Sequence, residues 1–170
     1  MRQRPHGQPT MSAFQTGVQL TSEVLQGPLR NLAGREAQLA ARLRVAKALL
    51  PAPPDSLIPA LLFLTQDPEA DVKKAARDSL MQMPGDVLLP VVQAFKDPVL
   101  LDATARALHK VARAAVEVVL NNHTEDDTIR WLATMGGSEV CENIVRTPVR
   151  AVRDPAIIEA IYFNPTVAQG

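Results

Sequence analysis

Four acidic helix-start signals recur at nearly constant spacing in this chain of 170 residues. They are Asp67-Pro68, Asp97-Pro98, the Asp126-Asp127 pair and Asp154-Pro155, and the steps between them are 30, 29 and 28 residues. A short stretch of apolar residues at helical spacing follows each signal. Such a period is typical of stacked helix-turn-helix units rather than of one globular core. Because proteins of that build usually bind other molecules, the spacing predicts a binding function and names no ligand.

The composition favours helices. Hydrophobic residues make up 46% of the chain and aromatic residues only 4%, so the core must come mainly from Ala, Leu and Val. Ala and Leu have high helix propensity, and small side chains let helices pack closely. The 14 prolines fall mainly between the apolar-periodic segments, where they separate one helix from the next. We therefore predict an all-α fold.

Charge and cysteine content restrict the class of protein. The 18 basic residues balance 18 acidic residues, whereas a dedicated nucleic-acid-binding domain usually carries a basic excess. The single cysteine, Cys141, excludes an internal disulfide and fits a reducing compartment. No segment approaches the roughly 18–20 apolar residues of a membrane span, and the N-terminus lacks the apolar stretch of a secretory signal. We expect a cytoplasmic protein, and the abundance of Ala, Pro and Arg suggests a bacterial source.

Composition divides the chain into three regions. Residues 1–19 begin with a polar, proline-containing stretch, and we predict a disordered leader in which Met11 is an alternative start. Residues 20–54 are predicted to form N-terminal capping helices. The clearest of these runs from about Arg35 to Leu50, with Leu39, Leu43, Ala46 and Leu50 on one face. Residues 55–170 are predicted to hold repeated helix pairs, at about 55–84, 85–111, 112–136 and 137–164.

The first two units align most clearly. Residues 57–63 match residues 88–94, which lie 31 positions later, and each segment contains a proline, Pro59 or Pro90. We expect both prolines near the first turn of a helix, where a missing N–H costs little. In the third unit, Thr124 and Asp127 have the spacing of a capping box with Asp in place of Glu or Gln.

One unit resembles a known repeat family. Residues 67–80 contain an acidic turn, then Val72-Lys73, then Ala75-Ala76, then Leu80. This order is similar to the second half of a HEAT-like repeat of the short type first described in phycobilisome lyases. Ile129-Arg130 echoes it in the third unit, whereas the second unit departs from it because Asp102 follows Leu101. The resemblance covers residues 55–163 and implies a right-handed α-solenoid of about four HEAT-like helix pairs.

In HEAT-like solenoids the second helix of each pair tends to line the concave surface, so the resemblance implies a shared groove. The residues that would line it are Lys73, Lys74, Arg77, Arg106, Lys110, Arg130 and Trp131. One interpretation is a mildly basic cleft for an acidic peptide or a phosphate backbone. The other is a set of solvated helix faces, with Lys73 and Arg130 paired to aspartates of neighbouring turns. Charged residues on helices are usually solvated and pair locally, which favours solvated faces, and the basic cleft stays open as an alternative.

A catalytic interpretation has one candidate site. Asp127 lies four residues before Trp131 on the same face of a helix, with Arg130 beside them. By resemblance, a HEAT-like glycosylase would need an acid among several aromatic side chains, but this chain has one Trp and one Tyr. A favourable interaction with the helix dipole also explains Asp127. We therefore predict no catalytic residue and no enzymatic activity.

No metal or cofactor is predicted. His6, His109, His123 and Cys141 lie far apart, without the local ligand pairs that zinc sites show. The sequence also contains none of the common nucleotide-binding motifs. Cys141 lies near Val140 and Ile144 on a predicted helix, so we expect a buried structural thiol.

The sequence thus predicts a non-enzymatic interaction module or scaffold that binds a protein partner along the surface of its second helices. The alternative is a nucleic-acid-binding or DNA base-processing HEAT-like protein. A third interpretation, supported only by the repeat type, is a lyase-type subunit acting on a protein-bound chromophore. Tyr162 and Phe163 fall in the last unit, where they would mark a self-association contact or a joint to a downstream domain.

Overall fold

The computed structural model describes residues 17–167, and all regular secondary structure in this range is helical. A 3₁₀ turn at Ser22–Val24 precedes α1 (Leu29–Ala33), α2 (Leu39–Ala46), α3 (Pro54–Leu64), α4 (Ala70–Gln82), α5 (Gly85–Ala94), α6 (Pro98–Leu108), α7 (Ala112–Leu120), α8 (Asp126–Met135), α9 (Ser138–Val145), α10 (Pro148–Arg153) and α11 (Ala156–Tyr162). The all-α prediction is confirmed. Of the predicted leader, residues 1–16 lie outside the described residues.

The helices pack in two rows. In the first row, α3 contacts α5, α5 contacts α7, and α7 contacts α9. In the second row, α2, α4, α6, α8 and α11 contact one another in that order. The apolar faces of both rows meet in one core, and its largest fully buried side chains include Phe63, Leu80, Leu101, Ile129 and Ile144. Because most of these helices are too short to be stable alone, their stability comes from neighbours in the stack.

The helices predicted after residue 68 agree closely with the structure, and one helix was not predicted. The second helices of the first three units and both helices expected in the last unit begin and end within two residues of their predicted bounds. The additional helix is α10, which occupies the connection between α9 and α11. Pro148 starts it, as proline favours the first helical position. Its six residues are too few to show an apolar period.

The helix predicted over Arg35–Leu50 is shorter than expected, and its first residue, Leu39, lies outside the buried face that Leu43, Ala46 and Leu50 share. It corresponds to α2, and Ala48 follows its end with a left-handed φ of 53°. Leu39 is 45% exposed, whereas Arg42 is buried. The prediction of Leu39 on the buried face is therefore wrong. A prediction from apolar periodicity places every arginine on the solvent side of a helix. Here Arg42 is buried because it forms an ion pair with Asp67.

Pro59 and Pro90 lie in the interior of their helices, so their predicted place near the first turn is wrong. α3 begins at Pro54 and α5 at Gly85, which makes each proline the sixth residue of its helix. The apolar pattern begins later than either helix does, because the first residues of both are exposed. A proline at such a position removes one N–H donor from the helical ladder.

Three of the four acidic signals form the turns that their spacing predicts. The carboxylates of Asp67, Asp97 and Asp154 each accept a hydrogen bond from the backbone N–H two residues later, at 2.9, 2.9 and 3.1 Å. Each bond satisfies a donor that the start of a helix would otherwise leave open. The recurring Asp-Pro is thus a turn element that joins one helix to the next.

The third signal differs from the others. Asp126 and Asp127 lie inside α8, and its N-cap is Glu125. The predicted capping box is wrong because the hydroxyl of Thr124 donates to the carbonyl of Val118 at 2.6 Å and is not available to the helix N-terminus. Thr124 therefore stabilises the turn that follows α7 and does not cap the N-terminus of α8.

Asp67 also forms a buried ion pair. The Nη1 atom of Arg42 lies 2.6 and 2.7 Å from its two carboxylate oxygens, and Asp67 is fully buried. Arg35 places a second guanidinium nitrogen 3.7 Å from the same carboxylate. These contacts join α2 to the turn between α3 and α4. A buried charge of this kind depends on its partner, since neither group has water to replace it.

Two buried asparagines join later turns in a similar way. The Nδ2 atom of Asn121 donates toward the carbonyls of Val92 and Phe95, at 3.2 and 3.0 Å. The Nδ2 atom of Asn164 donates to the carbonyls of Ala133 and Gly136, at 2.7 and 2.9 Å. Each amide therefore donates to carbonyls at the C-terminal end of a helix in the preceding unit, where helical N–H partners run out.

We expect Asp67→Ala to lower the free energy of unfolding by about 3–5 kcal/mol, because Arg42 would stay buried without its counter-charge. Asp97→Ala is a matched control, since it removes an equivalent turn hydrogen bond at an exposed position and should cost about 1 kcal/mol. Urea titration followed by helical circular dichroism measures both values. Equal losses for the two variants would show that the ion pair adds nothing to the turn.

Candidate functional site

The residues predicted to bind a partner lie on or directly after three successive helices of the second row. Lys73, Lys74 and Arg77 are on α4, Arg106 is on α6, and Arg130 and Trp131 are on α8, while Lys110 lies in the turn that follows α6. α6 contacts both α4 and α8. The structure therefore places all seven residues in one row, and their individual surroundings differ.

The residues of α4 and Lys110 are exposed to solvent. Lys73, Arg77 and Lys110 project from the surface, and Lys74 forms an ion pair with Asp78 at 2.7 Å one helical turn later. The hydrogen bond to Asp78 and the charge of Asp78 raise the pKa of Lys74. The pair neutralises one of the positive charges, so the exposed basic character of this part of the row comes from the other three residues.

Arg106 and Trp131 form the closest contact among the seven residues. The guanidinium carbon of Arg106 lies 4.7 Å from the centre of the Trp131 ring, within the range of a cation–π interaction. The imidazole of His109 meets the same indole edge to face, with ring centres 5.3 Å apart. Trp131 is half-buried by these two neighbours from α6. The stack joins α6 to α8 and places the only tryptophan of the chain beside Arg106.

Asp102 holds Arg106 in place and is almost completely buried. Its carboxylate accepts hydrogen bonds from Nε of Arg106 at 3.0 Å and from the hydroxyl of Thr128 on α8 at 2.9 Å. A third bond comes from the backbone N–H of Val18, at 3.0 Å. Buried carboxylates need several donors to offset their lost hydration. Here one of the three donors comes from the start of the described chain.

That segment, Gly17–Leu20, has no regular secondary structure and lies against the second row, and we call it the strap. The side-chain amide of Gln66, in the turn between α3 and α4, binds it at two points. Its Oε1 atom accepts from the N–H of Leu20 at 2.7 Å, and its Nε2 atom donates to the carbonyl of Val18 at 3.0 Å. With the bond to Asp102, the protein binds the strap through three backbone groups. We call Gln66, Asp102 and Arg106 the strap-binding surface.

Gly17 is required by two separate features of this contact. Its φ of +68° is a conformation that glycine adopts more readily than other residues. A Cβ atom at this position would lie 2.4 Å from Cδ of Arg106, so any side chain would collide with the arginine. Gly27 has a similar φ of +52° and open space around its Cα. A substitution at either glycine would strain the backbone, whereas only a substitution at Gly17 would also place a side chain against Arg106.

Arg130 belongs to a network of acidic side chains. Its Nε and Nη2 atoms both donate to one carboxylate oxygen of Asp154 at the turn before α11, and its Nη1 atom lies 3.2 Å from Asp127. The sequence analysis considered Asp127, Arg130 and Trp131 as an acid, a base and an aromatic platform. In the structure Asp127 is mostly exposed and binds Arg130, while Trp131 packs against α6. The acid and the indole therefore have different neighbours.

A second network surrounds Asp126. Its two oxygens lie 2.6 Å from Nη2 and Nε of Arg153, and Arg150 approaches to 3.4 Å. The hydrogen bonds from Arg153 lower the pKa of Asp126 despite its partial burial. Burial lowers the pKa of Arg150, whose guanidinium donates to the carbonyls of Asn121 and Thr124 at 2.8 and 2.7 Å. Arg150 thus connects α10 to the turn between α7 and α8.

A cavity of about 730 Å³ lies on the other side of the strap, between the 3₁₀ turn, α3, α5 and the start of α6. Apolar residues such as Pro59, Val91 and Leu100 form much of its wall. Three acidic residues, Glu23, Asp55 and Asp97, also line it. None of the seven predicted partner-binding residues contributes to this cavity, so the two regions are separate.

Other kinds of site find little support within residues 17–167. No cluster of three or more potential ligands there could bind a metal ion. No helix in the same range has the length and apolarity to span a membrane. Cys141 is buried, and its burial raises the pKa of the thiol despite a hydrogen bond from Asn164. This agrees with the expected structural thiol, since a reactive cysteine needs access and a lowered pKa.

Sequence analysis did not identify the strap-binding residues Gln66 and Asp102. Gln66 lies in a turn, and its function depends on a segment 46 residues earlier. The sequence did mark Asp102 as unusual, because it is acidic at the repeat position where the neighbouring units have the basic residues Lys73 and Arg130. That departure from the repeat marks the residue that binds the strap.

Comparisons of this chain with protein-family models, with curated proteins and with solved structures found no match.

Arg153→Ala should lower the midpoint of urea unfolding at pH 7 and have no effect in acid. Because the folded state lowers the pKa of Asp126, the stabilisation is present above its unfolded pKa of about 3.9. It is lost as the pH falls through the lower folded value. Urea titrations at pH 7 and at about pH 2 test this.

Arg146→Ala is the matched control, since it removes an exposed contact with Glu142 at 3.7 Å and should leave the midpoint unchanged. An effect of Arg153→Ala that persists in acid would show that packing, not the charge of Asp126, causes it.

Proposed function

We propose that the protein is a non-enzymatic interaction module whose two helical rows are those of a right-handed HEAT-like α-solenoid. In this proposal it binds a segment of a partner protein along the surface of its second-row helices. One observation carries the proposal. The strap lies along that surface, with three of its backbone groups hydrogen-bonded to Gln66 and Asp102.

The chemistry of this surface suits an extended polypeptide. A backbone N–H or C=O loses a water hydrogen bond on binding, so a binding surface must supply polar side chains in register with it. Gln66 offers both a donor and an acceptor, and Asp102 offers an acceptor. Both residues are held by the helical stack and not by a loose terminus. A rigid surface loses less entropy on binding than a flexible one.

The exposed basic residues would orient the partner. Lys73 and Arg77 project from α4, and Lys110 projects from the turn after α6, the helix that carries Asp102 and Arg106 of the strap-binding surface. Charges at the rim of an interface act mainly on the rate and orientation of association. An acidic stretch in the partner, flanking the bound segment, would be attracted to them. The zero net charge of the whole chain makes this attraction local.

A binding role also accounts for the candidate catalytic groups better than an enzymatic one. Asp127 pairs with Arg130 and is largely exposed, so it lacks the desolvated surroundings that activate a general acid or base. Trp131 is stacked by Arg106 and His109 and does not present an open face beside an acid. Neither arrangement favours a flipped base or another bound substrate.

The double substitution Arg77→Glu with Lys110→Glu is expected to reduce partner capture at least fivefold and to leave the melting temperature nearly unchanged, because both side chains are exposed. Affinity capture from a cell extract followed by quantitative mass spectrometry measures the partner. Arg106 is unsuitable for this test, since a glutamate there would face Asp102.

The matched control is Arg113→Glu with Arg146→Glu, which makes the same charge change at exposed positions on α7 and at the C-terminal end of α9 in the first row. If both double variants lose capture equally, net charge is responsible and the proposed surface is wrong.

Nucleic-acid binding is the second candidate, favoured only by the exposed Lys73, Arg77 and Lys110. Electrophoretic retardation of duplex DNA across salt concentrations tests it. Phosphate binding would give retardation at low salt that falls steeply as salt rises and that the Arg77→Glu, Lys110→Glu variant abolishes. The absence of retardation at low salt would remove this class.

Self-association through the last helix is a separate proposal. Tyr162 and Phe163 are 78% and 71% exposed and meet edge to face, with ring centres 5.3 Å apart. Large exposed aromatic side chains often mark contacts with other proteins. Light scattering should detect a dimer at high concentration that the double substitution Tyr162→Ser with Phe163→Ser converts to monomer. A monomer at all concentrations would exclude self-association at this end.

A further inference from the structure

We infer that the strap-binding surface is the docking site for an extended segment of a partner protein, and that the strap occupies this site in the free protein. The partner segment would carry a glycine followed three positions later by an aliphatic residue. Binding would then require the strap to leave. This inference rests on the proposed function, because it specifies the segment that the interaction module binds and how access to it is controlled.

The contacts with the strap are made to its backbone. Gln66 and Asp102 bind the N–H and C=O of Val18 and the N–H of Leu20, and no polar side chain of the strap takes part in these bonds. Any extended segment presents the same groups at the same spacing. The surface is therefore complementary to an extended backbone in general, and the strap is one segment that satisfies it.

Two positions of the strap add a sequence requirement. Leu20 is buried in the hydrophobic core with 5% exposure, so this position requires an aliphatic side chain. Gly17 lies against Arg106 without room for a Cβ atom, so this position requires glycine. Val18 and Gln19, between them, are exposed and set no requirement. A competing segment would match the order Gly-x-x-Leu.

The strap covers Arg106, the residue of the strap-binding surface that also contacts α8. Arg106 lies between Gly17 on one side and the ring of Trp131 on the other. A partner approaching Arg106 therefore meets the strap first. Because the strap belongs to the same chain, its effective concentration at the site is high, and an external segment binds with its affinity reduced by the fraction of sites that are closed.

Gly17→Ala in the full chain is the variant that should open the site. Its new Cβ would collide with Arg106, while the docking residues Gln66 and Asp102 stay unchanged. Gly27→Ala is the matched control, since it introduces the same left-handed strain where there is open space. Leu20→Ala in the full chain is a second opening variant, because it removes the buried side chain of the strap.

The probe is a fluorescent, N-acetylated peptide with the sequence of Gly17–Val24. We expect it to bind the Gly17→Ala and Leu20→Ala proteins at least about tenfold more tightly than the wild-type and Gly27→Ala proteins. A peptide with Leu20 replaced by Ala should bind at least tenfold more weakly. Hydrogen exchange should show protected amides of Val18 and Leu20 in the wild-type and Gly27→Ala proteins, and fast exchange in the Gly17→Ala protein.

Equal peptide affinity for all four proteins, or no binding to either opened variant, would overturn the inference. So would protected Val18 and Leu20 amides in the Gly17→Ala protein. A dimer of the opened variants that excludes the peptide would also overturn it, since the site would then accept the strap of a second copy.

Failure of the proposed function gives a different result. The Arg77→Glu, Lys110→Glu protein with Gly17→Ala added should still bind the peptide, because Gln66 and Asp102, which bind the backbone of the strap, are unchanged in it. Peptide binding without any partner capture would therefore support the docking site and reject the proposed role of the basic residues.

Discussion

Buried polar side chains that cross from one unit to the next hold this stack together. Asn121 donates to carbonyls 26 to 29 positions earlier, and Asn164 donates to carbonyls 28 and 31 positions earlier. Arg150 donates to carbonyls 26 and 29 positions away, and the Arg42–Asp67 pair spans 25. These separations are close to the sequence period. A carbonyl buried at a helix end needs a donor, so each of these side chains sets how one unit lies on the next.

The strap-binding surface arises where this arrangement changes. Arg42 and Arg130 supply the positive charge that binds Asp67 and Asp154 in neighbouring turns. The corresponding position of the second unit is occupied by Asp102, a carboxylate that cannot pair with the aspartate of a turn. Its buried carboxylate takes donors from Arg106 and Thr128, and its third donor is the N–H of Val18. The need to satisfy one buried charge therefore brings a backbone segment onto the second row.

Much of the fold was accessible from the sequence because it depends on local physics. Helix propensity predicted an all-α chain, and proline and aspartate at helix ends located most helix boundaries after residue 68. The same local rules failed where a tertiary contact outweighed them. Arg42 is buried through an ion pair with a residue 25 positions away, and Thr124 bonds to Val118 instead of capping α8. The predicted groove residues lie along one row, and among them Arg106 and Trp131 form a cation–π contact that the sequence did not predict.

The sequence by itself determined that the chain is helical, that its units recur about every 29 residues and that Asp67, Asp97 and Asp154 form turns, because propensity and capping act over a few neighbouring residues. The tertiary structure alone decided which polar groups are buried and what satisfies them. The reach of Gln66 to Leu20, of Asp102 to Val18 and of Arg106 to Trp131 joins residues 25 or more positions apart. Whether those polar groups are desolvated depends on how the helices pack, so a local sequence pattern cannot predict it.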